Sequence, residues 1–335
     1  MKSKKTMALF LALTMSLSMA TVSYAEELKV EKTEESTSEN SELVTEYDVY
    51  DFETGEEYTI PATVFHQMGE EVTIPSKPAQ KNLEMIPLTE EELQERETYY
   101  QEQLELYPEL YGYKGEWSQV GNVNVLPYSA IARLKITWSD GRIEFASGAA
   151  VNDGVVLTAA HCVYDHRKNR TARSIDIYFG ENGEDYVAYA KAKQKITSAG
   201  WQNRPDYEPA YDYAVLTVDR SVTNKTGTLS VSTVLPTMSD VLTLTGYPYL
   251  SNKGICYKDT GNMTKKYAGA YDHNMDCTGG NSGGPIYKDY GDDWVVCGIH
   301  SGDYSPQNPG EESPQGGIAK TIDSNVLNLI KNNRQ

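Results

Sequence analysis

The chain predicts an all-β domain set behind a signal segment and an acidic leader. Three observations predict it. From about residue 120 onward, short runs of alternating apolar and polar residues are separated by turn signals such as Ser139-Asp140-Gly141 and Asn152-Asp153-Gly154. The first residues are basic and then apolar. Between them lies a stretch crowded with acids. The β region is about 220 residues long, within the range of one all-β barrel or sandwich unit.

At the start, Met1-Lys2-Ser3-Lys4-Lys5 precedes an apolar run from Met7 through Met19, and Ser23-Tyr24-Ala25 follows with small residues at its first and third positions. This is the pattern of a secretory signal peptide, which sets off residues 1–25. The competing reading is a membrane anchor, but the apolar run is shorter than the roughly 20 residues a span requires. No later run is long and apolar enough to span. The expected mature protein is secreted, extracellular and off the membrane.

Residues 26–118 carry 25 acidic and 6 basic side chains, so the chain's formal charge of −18 belongs to this leader. The rest of the chain is near balance, which argues against nucleic-acid binding. Up to about Thr45 the composition is rich in Glu, Ser and Thr and predicts disorder. Leu88-Thr89-Glu90-Glu91-Glu92-Leu93 predicts a helix start, with Thr89 as N-cap and Glu92 three residues on, running to about Leu106 before Tyr107-Pro108. An acidic leader on a secreted chain suggests a propeptide over 26–109; a spacer or surface tether is the alternative.

Strands are predicted at Ala130–Ile136, Ile143–Val151, Val155–Thr158, Ile175–Phe179, Tyr213–Val218, Val241–Thr245, Trp294–His300 and Gly317–Thr321. Val326, Leu327 and Ile330 then stand at helical spacing over Ser324 to Lys331.

The stretch with chemistry in it is Gly279-Gly280-Asn281-Ser282-Gly283-Gly284-Pro285. A serine hydroxyl is a poor nucleophile until a base takes its proton and donors stabilise the oxyanion. Glycines with exposed N–H groups offer such donors. The base is offered by Thr158-Ala159-Ala160-His161-Cys162, about 120 residues earlier. Of the five histidines, His66 is in the leader, and His166 and His273 read as residues of polar loops. The carboxylate that orients the imidazole is best supplied by Asp212, directly before the apolar run Tyr213-Ala214-Val215-Leu216. Asp206 lies in a polar loop, and Asp219 lies at the solvent end of that strand.

These two motifs resemble those of chymotrypsin-like serine proteases, and the order His-Asp-Ser is that group's order. The resemblance implies two six-stranded β-barrels with a C-terminal helix over residues 110–335. It also implies a triad of His161, Asp212 and Ser282, an oxyanion hole from the N–H groups of Gly280 and Ser282, and no cofactor. Asn281 replaces the Asp that the animal digestive enzymes pair with a new N-terminal amine, so that activation is not expected here. Asn at this position is similar to the bacterial glutamyl endopeptidases. So are Pro127-Tyr128-Ser129-Ala130-Ile131, Gly246-Tyr247-Pro248, Gly298-Ile299-His300 and Gly316-Gly317-Ile318-Ala319.

That branch implies that His300 receives a substrate Glu carboxylate, that Cys277 and Thr278 line the pocket, and that Ser301-Gly302 pairs with the substrate backbone. It also implies a mature N-terminus between Leu110 and Trp117, after cleavage at Glu109 or Glu116 or between them. Two residues cut across this reading. Cys277 stands where a hydroxyl residue is usual, and Asp276 stands at the offset of the acid that selects Lys or Arg in trypsin. A basic preference is therefore the alternative, and a silent protease-like binding module is the rival from another class. Expected partners are protein or peptide substrates and the chain's own propeptide, on a monomer.

Four cysteines in a secreted chain allow three full pairings. Ser147-Gly148 removes the bridge that many relatives make to the cysteine after the histidine, so Cys162 is expected free, and Cys277 is paired with Cys256 or Cys297. Cys297 and His300 have a metal-like spacing, but no second such pair accompanies them. A structural calcium has no support in the sequence.

Overall fold

The computed structural model describes residues 42–80, 84–106, 117–204, 207–249, 254–303 and 316–333. The signal segment and the cleavage window therefore lie outside the described residues, as does Asp206. The leader forms β1 (Glu46–Asp51), β2 (Glu57–Pro61), β3 (Thr73–Ile74), β4 (Ile86–Pro87) and the helix α1 (Glu90–Leu106), and β5 (Ser118–Gln119) follows. Next come β6 (Ile131–Trp138), β7 (Ile143–Asn152), β8 (Val155–Thr158), β9 (Tyr164–Asp165), β10 (Arg170–Phe179), β11 (Asp185–Tyr186), β12 (Ala188–Ser198) and β13 (Ala214–Val218). After the short helix α2 (Thr223–Thr226) come β14 (Ser230–Ser232), β15 (Leu242–Gly246), β16 (Tyr257–Gly261), β17 (Met263–Tyr267) and β18 (Ala270–His273). The chain ends with β19 (Pro285–Asp289), β20 (Trp294–Asp303), β21 (Gly317–Thr321) and α3 (Ser324–Asn332).

Six strands close the first half into an antiparallel barrel, in the cycle β6-β7-β8-β13-β12-β10 and back to β6. Alternation drives the closure. Ile136 stands opposite Ile175 and Leu134 opposite Ile177, and all four are buried.

The second half is an open sheet in the order β17-β18-β21-β20-β19-β15-β16-β5. This corrects the expectation of two six-stranded barrels, because β16 and β17 do not pair. Only Asn262 separates them, and a hairpin needs at least two loop residues to reverse the chain. Asn262 instead turns a corner, with its N–H on Asn274 Oδ1 at 2.7 Å and its side-chain amide on the Asp240 carbonyl at 2.9 Å.

The leader is packed onto the barrel. β1 adds to β12 with Val49 opposite Ile196, and Tyr47 and Val49 are buried. β3 pairs with β14, and β4 with β11. The predicted cap of α1 is formed reciprocally: Thr89 N–H reaches Glu92 Oε2 at 2.8 Å, and Glu92 N–H reaches Thr89 Oγ1 at 3.2 Å.

The helix α3, capped by Asp323, faces the leader with three asparagines at successive turns. Asn325 Oδ1 accepts Val44 N–H at 2.8 Å, and Asn328 Oδ1 accepts Phe65 N–H at 3.0 Å and His66 N–H at 2.9 Å. Asn332 Oδ1 accepts Thr63 N–H at 2.8 Å. Each amide nitrogen returns a bond to a leader carbonyl, of Glu42, His66 and Thr63 respectively.

Candidate active site

The barrel's own register brings the first two site residues together. β8 and β13 are neighbours, with Thr158 opposite Ala214. His161 lies three residues past the end of β8, on a 3₁₀ turn over Ala160–Cys162, and Asp212 lies two residues before β13. Both therefore emerge at the same rim. Asp212 is fully buried and holds His161 twice: Oδ1 accepts the backbone N–H at 2.8 Å, and Oδ2 accepts the ring Nδ1–H at 2.7 Å. An ionised carboxylate can only accept, so Nδ1 carries a proton, and in the neutral ring the lone pair that can act as base is on Nε2, with Cys162 Sγ 3.7 Å away. Burial works against both charges, but each outweighs it for the other. Asp212 is held below the usual carboxylate range, and His161 is raised well above the usual imidazole value.

Two residues to which the sequence assigns no such role complete the cage around Asp212. Ser301 Oγ donates to Oδ2, and Tyr207 places its hydroxyl 3.2 Å from Oδ2 and 3.1 Å from the Ser301 carbonyl. The sequence reading concerns the Ser301 backbone, as a partner for substrate; its side chain is buried against Asp212. Tyr207 also presents its ring edge-on to His161, with centroids 6.1 Å apart. No local pattern around Tyr207-Glu208-Pro209 signals this role.

Ser282 lies in the loop before β19, half-buried. The loop is pinned from the first barrel by Ser147, a buried residue of β7. Its N–H donates to the Ser282 carbonyl at 2.8 Å and its Oγ to the Gly280 carbonyl at 2.7 Å. Gly280 has φ +93°, and a Cβ there would sit 2.4 Å from the Tyr247 carbonyl, so only glycine fits. Tyr249 N–H binds the Gly279 carbonyl at 2.7 Å. A trans peptide sends its N–H the opposite way from its carbonyl, so the Gly280 N–H faces away from Tyr249. Among the described residues neither the Gly280 nor the Ser282 N–H is used by another backbone carbonyl. Asn281 is buried, and its side-chain oxygen accepts the Thr278 N–H at 3.1 Å. It closes the turn with a neutral hydrogen bond where an Asp would need a cation.

Pro285 of β19 is paired with Ile299 of β20, which sets His300 beside the Ser282 loop. Gly283 N–H binds the His300 carbonyl at 2.8 Å, and His300 N–H binds the Gly284 carbonyl at 2.9 Å. The His300 ring is buried, with Nδ1 3.1 Å from His273 Nε2. Burial, then the neighbouring His273 and His161, holds His300 well below the usual imidazole value, so it is neutral. His273 is likewise buried, at the end of β18, and burial lowers it to about 3; this corrects its reading as a polar-loop residue. Cys277 is buried beside them, its Sγ 3.4 Å from the Gly316 carbonyl. Burial raises its thiol pKa well above normal, reinforced by the charges of Asp303, Asp276 and Asp259. Thr278 is buried in the same turn, and Gly302 follows Ser301 where β20 bulges against β21.

All four cysteines are free and buried, which corrects the expected bridge from Cys277. The thiols are held apart by different neighbours: Cys297 donates to the Ile286 carbonyl, Cys277 to that of Gly316, and Cys162 Sγ lies 3.7 Å from His161 Nε2.

A closed six-stranded barrel joined to an open β half, with a His–Asp pair at the rim, defines the chymotrypsin-like class. The trypsin family model matches residues 119–324, more than half of the chain, and the chain belongs to that family. It is 25% identical over 173 residues to a glutamyl endopeptidase of Bacillus licheniformis, a match covering 51% of this chain and 52% of that protein. It is 26% identical over 228 residues to an extracellular metalloprotease of Bacillus subtilis, covering 66% and 67%. The match to the first relative thus spans about half of that protein's length. Among solved structures, a Glu endopeptidase in complex with MPD superposes with TM-score 0.56 at 22% identity, over 66% of this chain and 97% of that one. A thermostable serine protease, AL20, superposes with TM-score 0.53 at 20% identity, over 62% and 97%.

Proposed function

We propose that this serine-protease homologue is an active, secreted endopeptidase that prefers Glu at P1 and is made as a precursor. Residues 1–25 form the signal peptide, 26–109 the propeptide and 110–335 the peptidase domain. Ser282 attacks the peptide carbonyl while His161 Nε2 takes its proton, and Asp212 stabilises the imidazolium. The N–H groups of Gly280 and Ser282 receive the oxyanion. His161 returns its proton to the leaving amine, and water releases the acyl group from Ser282. The observation that carries the reading is the pair of hydrogen bonds that His161 donates to Asp212, from its backbone and its ring, which orient the ring and put a proton on Nδ1.

The Glu preference rests on the neutral imidazole of His300, which can donate N–H to a carboxylate, and on the two similar proteins named for that specificity. One observation favours Lys or Arg instead: Asp303, Asp276 and Asp259 place negative charge around Cys277. A fluorophosphonate should label the wild-type protein but not Ser282→Ala. A peptide-library profile should show cleavage after Glu, and His300→Ala should reduce that cleavage more than tenfold relative to other residues, since losing a partner to a desolvated charge costs about 2–5 kcal/mol. Absence of labelling makes the chain a silent module. Cleavage after Lys or Arg hands the pocket to its acids.

A further inference from the structure

The wall of the pocket proposed for the P1 side chain holds a cluster that the peptidase chemistry leaves unused. His273, Cys277 and His300 are all buried, and their ligand-type atoms lie within 4.8 Å of one another. They come from three separate places in the fold: the end of β18, the loop before Ser282, and β20. The spacing of Cys297 and His300, from which the sequence gives no reason to expect a metal, plays no part in this cluster. The tertiary structure exchanges Cys297 for Cys277 and adds His273.

We propose that His273, Cys277 and His300 form a binding site for a thiophilic divalent cation of the zinc class. The donor set is two imidazoles and a thiol, which suits zinc better than calcium or magnesium. The geometry is close to that of a bound site. Tetrahedral zinc with Zn–N bonds near 2.05 Å holds its nitrogens about 3.3 Å apart, and His273 Nε2 lies 3.1 Å from His300 Nδ1. Entry of the cation requires the sulfur and the rings to close in, from within 4.8 Å of one another to the roughly 3.6 Å between nitrogen and sulfur around a tetrahedral zinc.

Binding is a proton exchange: the Cys277 thiol gives its proton to solvent, the proton in the hydrogen bond between His273 Nε2 and His300 Nδ1 moves through solvent to the other nitrogen of its own ring, the thiolate sulfur and the two freed imidazole nitrogens donate electron pairs to the cation, and no electron is transferred. Three protein ligands leave a fourth position open. Gly317 keeps space beside the cluster, since a Cβ there would lie 2.9 Å from His300 Cε1 and 3.1 Å from Cys277 Sγ. A cation held here sits in the wall of the P1 pocket, so it would change how that pocket receives a side chain.

The test reads binding rather than turnover, so it stands apart from the peptidase reading. Full-length Ser282→Ala protein, freed of metal with a chelator and desalted, is titrated with cobalt(II). The expected result is one cobalt per chain, with the strong visible bands of tetrahedral cobalt and a thiolate-to-cobalt charge-transfer band, all displaced by one equivalent of zinc(II). Cys277→Ser in the same background should remove the charge-transfer band. His273→Gln should weaken binding by more than about tenfold, because losing even a residue behind a ligand costs 10–100-fold. Circular dichroism checks that each variant folds; if Cys277→Ser does not, the wild-type stoichiometry and His273→Gln decide. The proposal is overturned if the parent protein binds no cobalt at micromolar concentration. It is equally overturned if the charge-transfer band survives Cys277→Ser, which would place the metal on the other adjacent pair, His161 and Cys162.

Discussion

Asp212 shows how much structure one buried carboxylate requires. It is removed from water and would be driven to protonate, yet it accepts from the His161 backbone, the His161 ring and Ser301 Oγ, with the Tyr207 hydroxyl alongside. These partners keep it ionised, and its charge raises His161. The sign of the consequence for activity follows. His161 must be neutral to accept the Ser282 proton, and a raised pKa keeps it protonated to higher pH. The acid limb of kcat/KM is therefore expected above the ordinary imidazole value of 6.5. Asp212→Asn should move that limb to lower pH and reduce kcat roughly 10³–10⁴-fold, as loss of the orienting carboxylate does in the general triad. A limb that stays in place in the variant would show that Asp212 does not set the pKa of the base.

At the scale of elements, the unexpected feature is the grip of α3 on the leader. Backbone of residues 42–66 is read by Asn325, Asn328 and Asn332, each through both ends of its amide. β1 meanwhile extends the sheet at β12 and covers its edge. A segment bound this way should not leave when the chain between Glu109 and Glu116 is cut. The expected mature protein is two fragments that co-elute on gel filtration under native conditions, with Ser282→Ala remaining uncut when purified alone. Replacing Asn328 and Asn332 by Ala together should release the leader fragment from the processed protein. If the leader separates from the wild-type protein on cutting, the contacts of α3 are those of the precursor only.

Across the whole molecule, one buried ion cluster ties the leader helix to the barrel. Glu181 is fully buried and is met by Arg133 at 3.1 Å from β6 and by Arg96 from α1. Burial raises the Glu181 pKa, with both arginines opposing it. Arg96→Met leaves Arg133 as the remaining cation, and the expected loss is about 2–4 kcal/mol of stability near neutral pH. Glu181 then becomes harder to ionise when folded. An acid with a raised folded pKa contributes less stability as pH rises, so the melting-temperature deficit should be larger near pH 7 than near pH 4. An equal deficit at both would mean that the helix loses packing rather than charge balance.

Features written in neighbouring residues are legible in the sequence alone. The strands Val155–Thr158 and Gly317–Thr321 have the predicted ends, because such short runs and the residues that bound them are local. The cap of α1 and its end at Leu106 follow from Thr89, Glu92 and Pro108 in the same way. Asp212 and His161 stand out because each adjoins an apolar strand, and strand register carries them to one rim. β12 gives little signal because Ala190 and Ala192 make a faint apolar face beside Lys191 and Lys193, and acids obscure the alternation of the leader strands. The cage of Tyr207 and Ser301 around Asp212, the hold of Ser147 on the Ser282 loop, the meeting of His273 with Cys277, and the free thiols belong to the tertiary structure alone. So does the hydrogen bond from Val44 to Asn325, across 281 residues. The physical reason is one of range: periodicity and capping act over a few residues, whereas a buried polar group is satisfied by whatever partner packing brings within about 3 Å, and no local pattern names that partner.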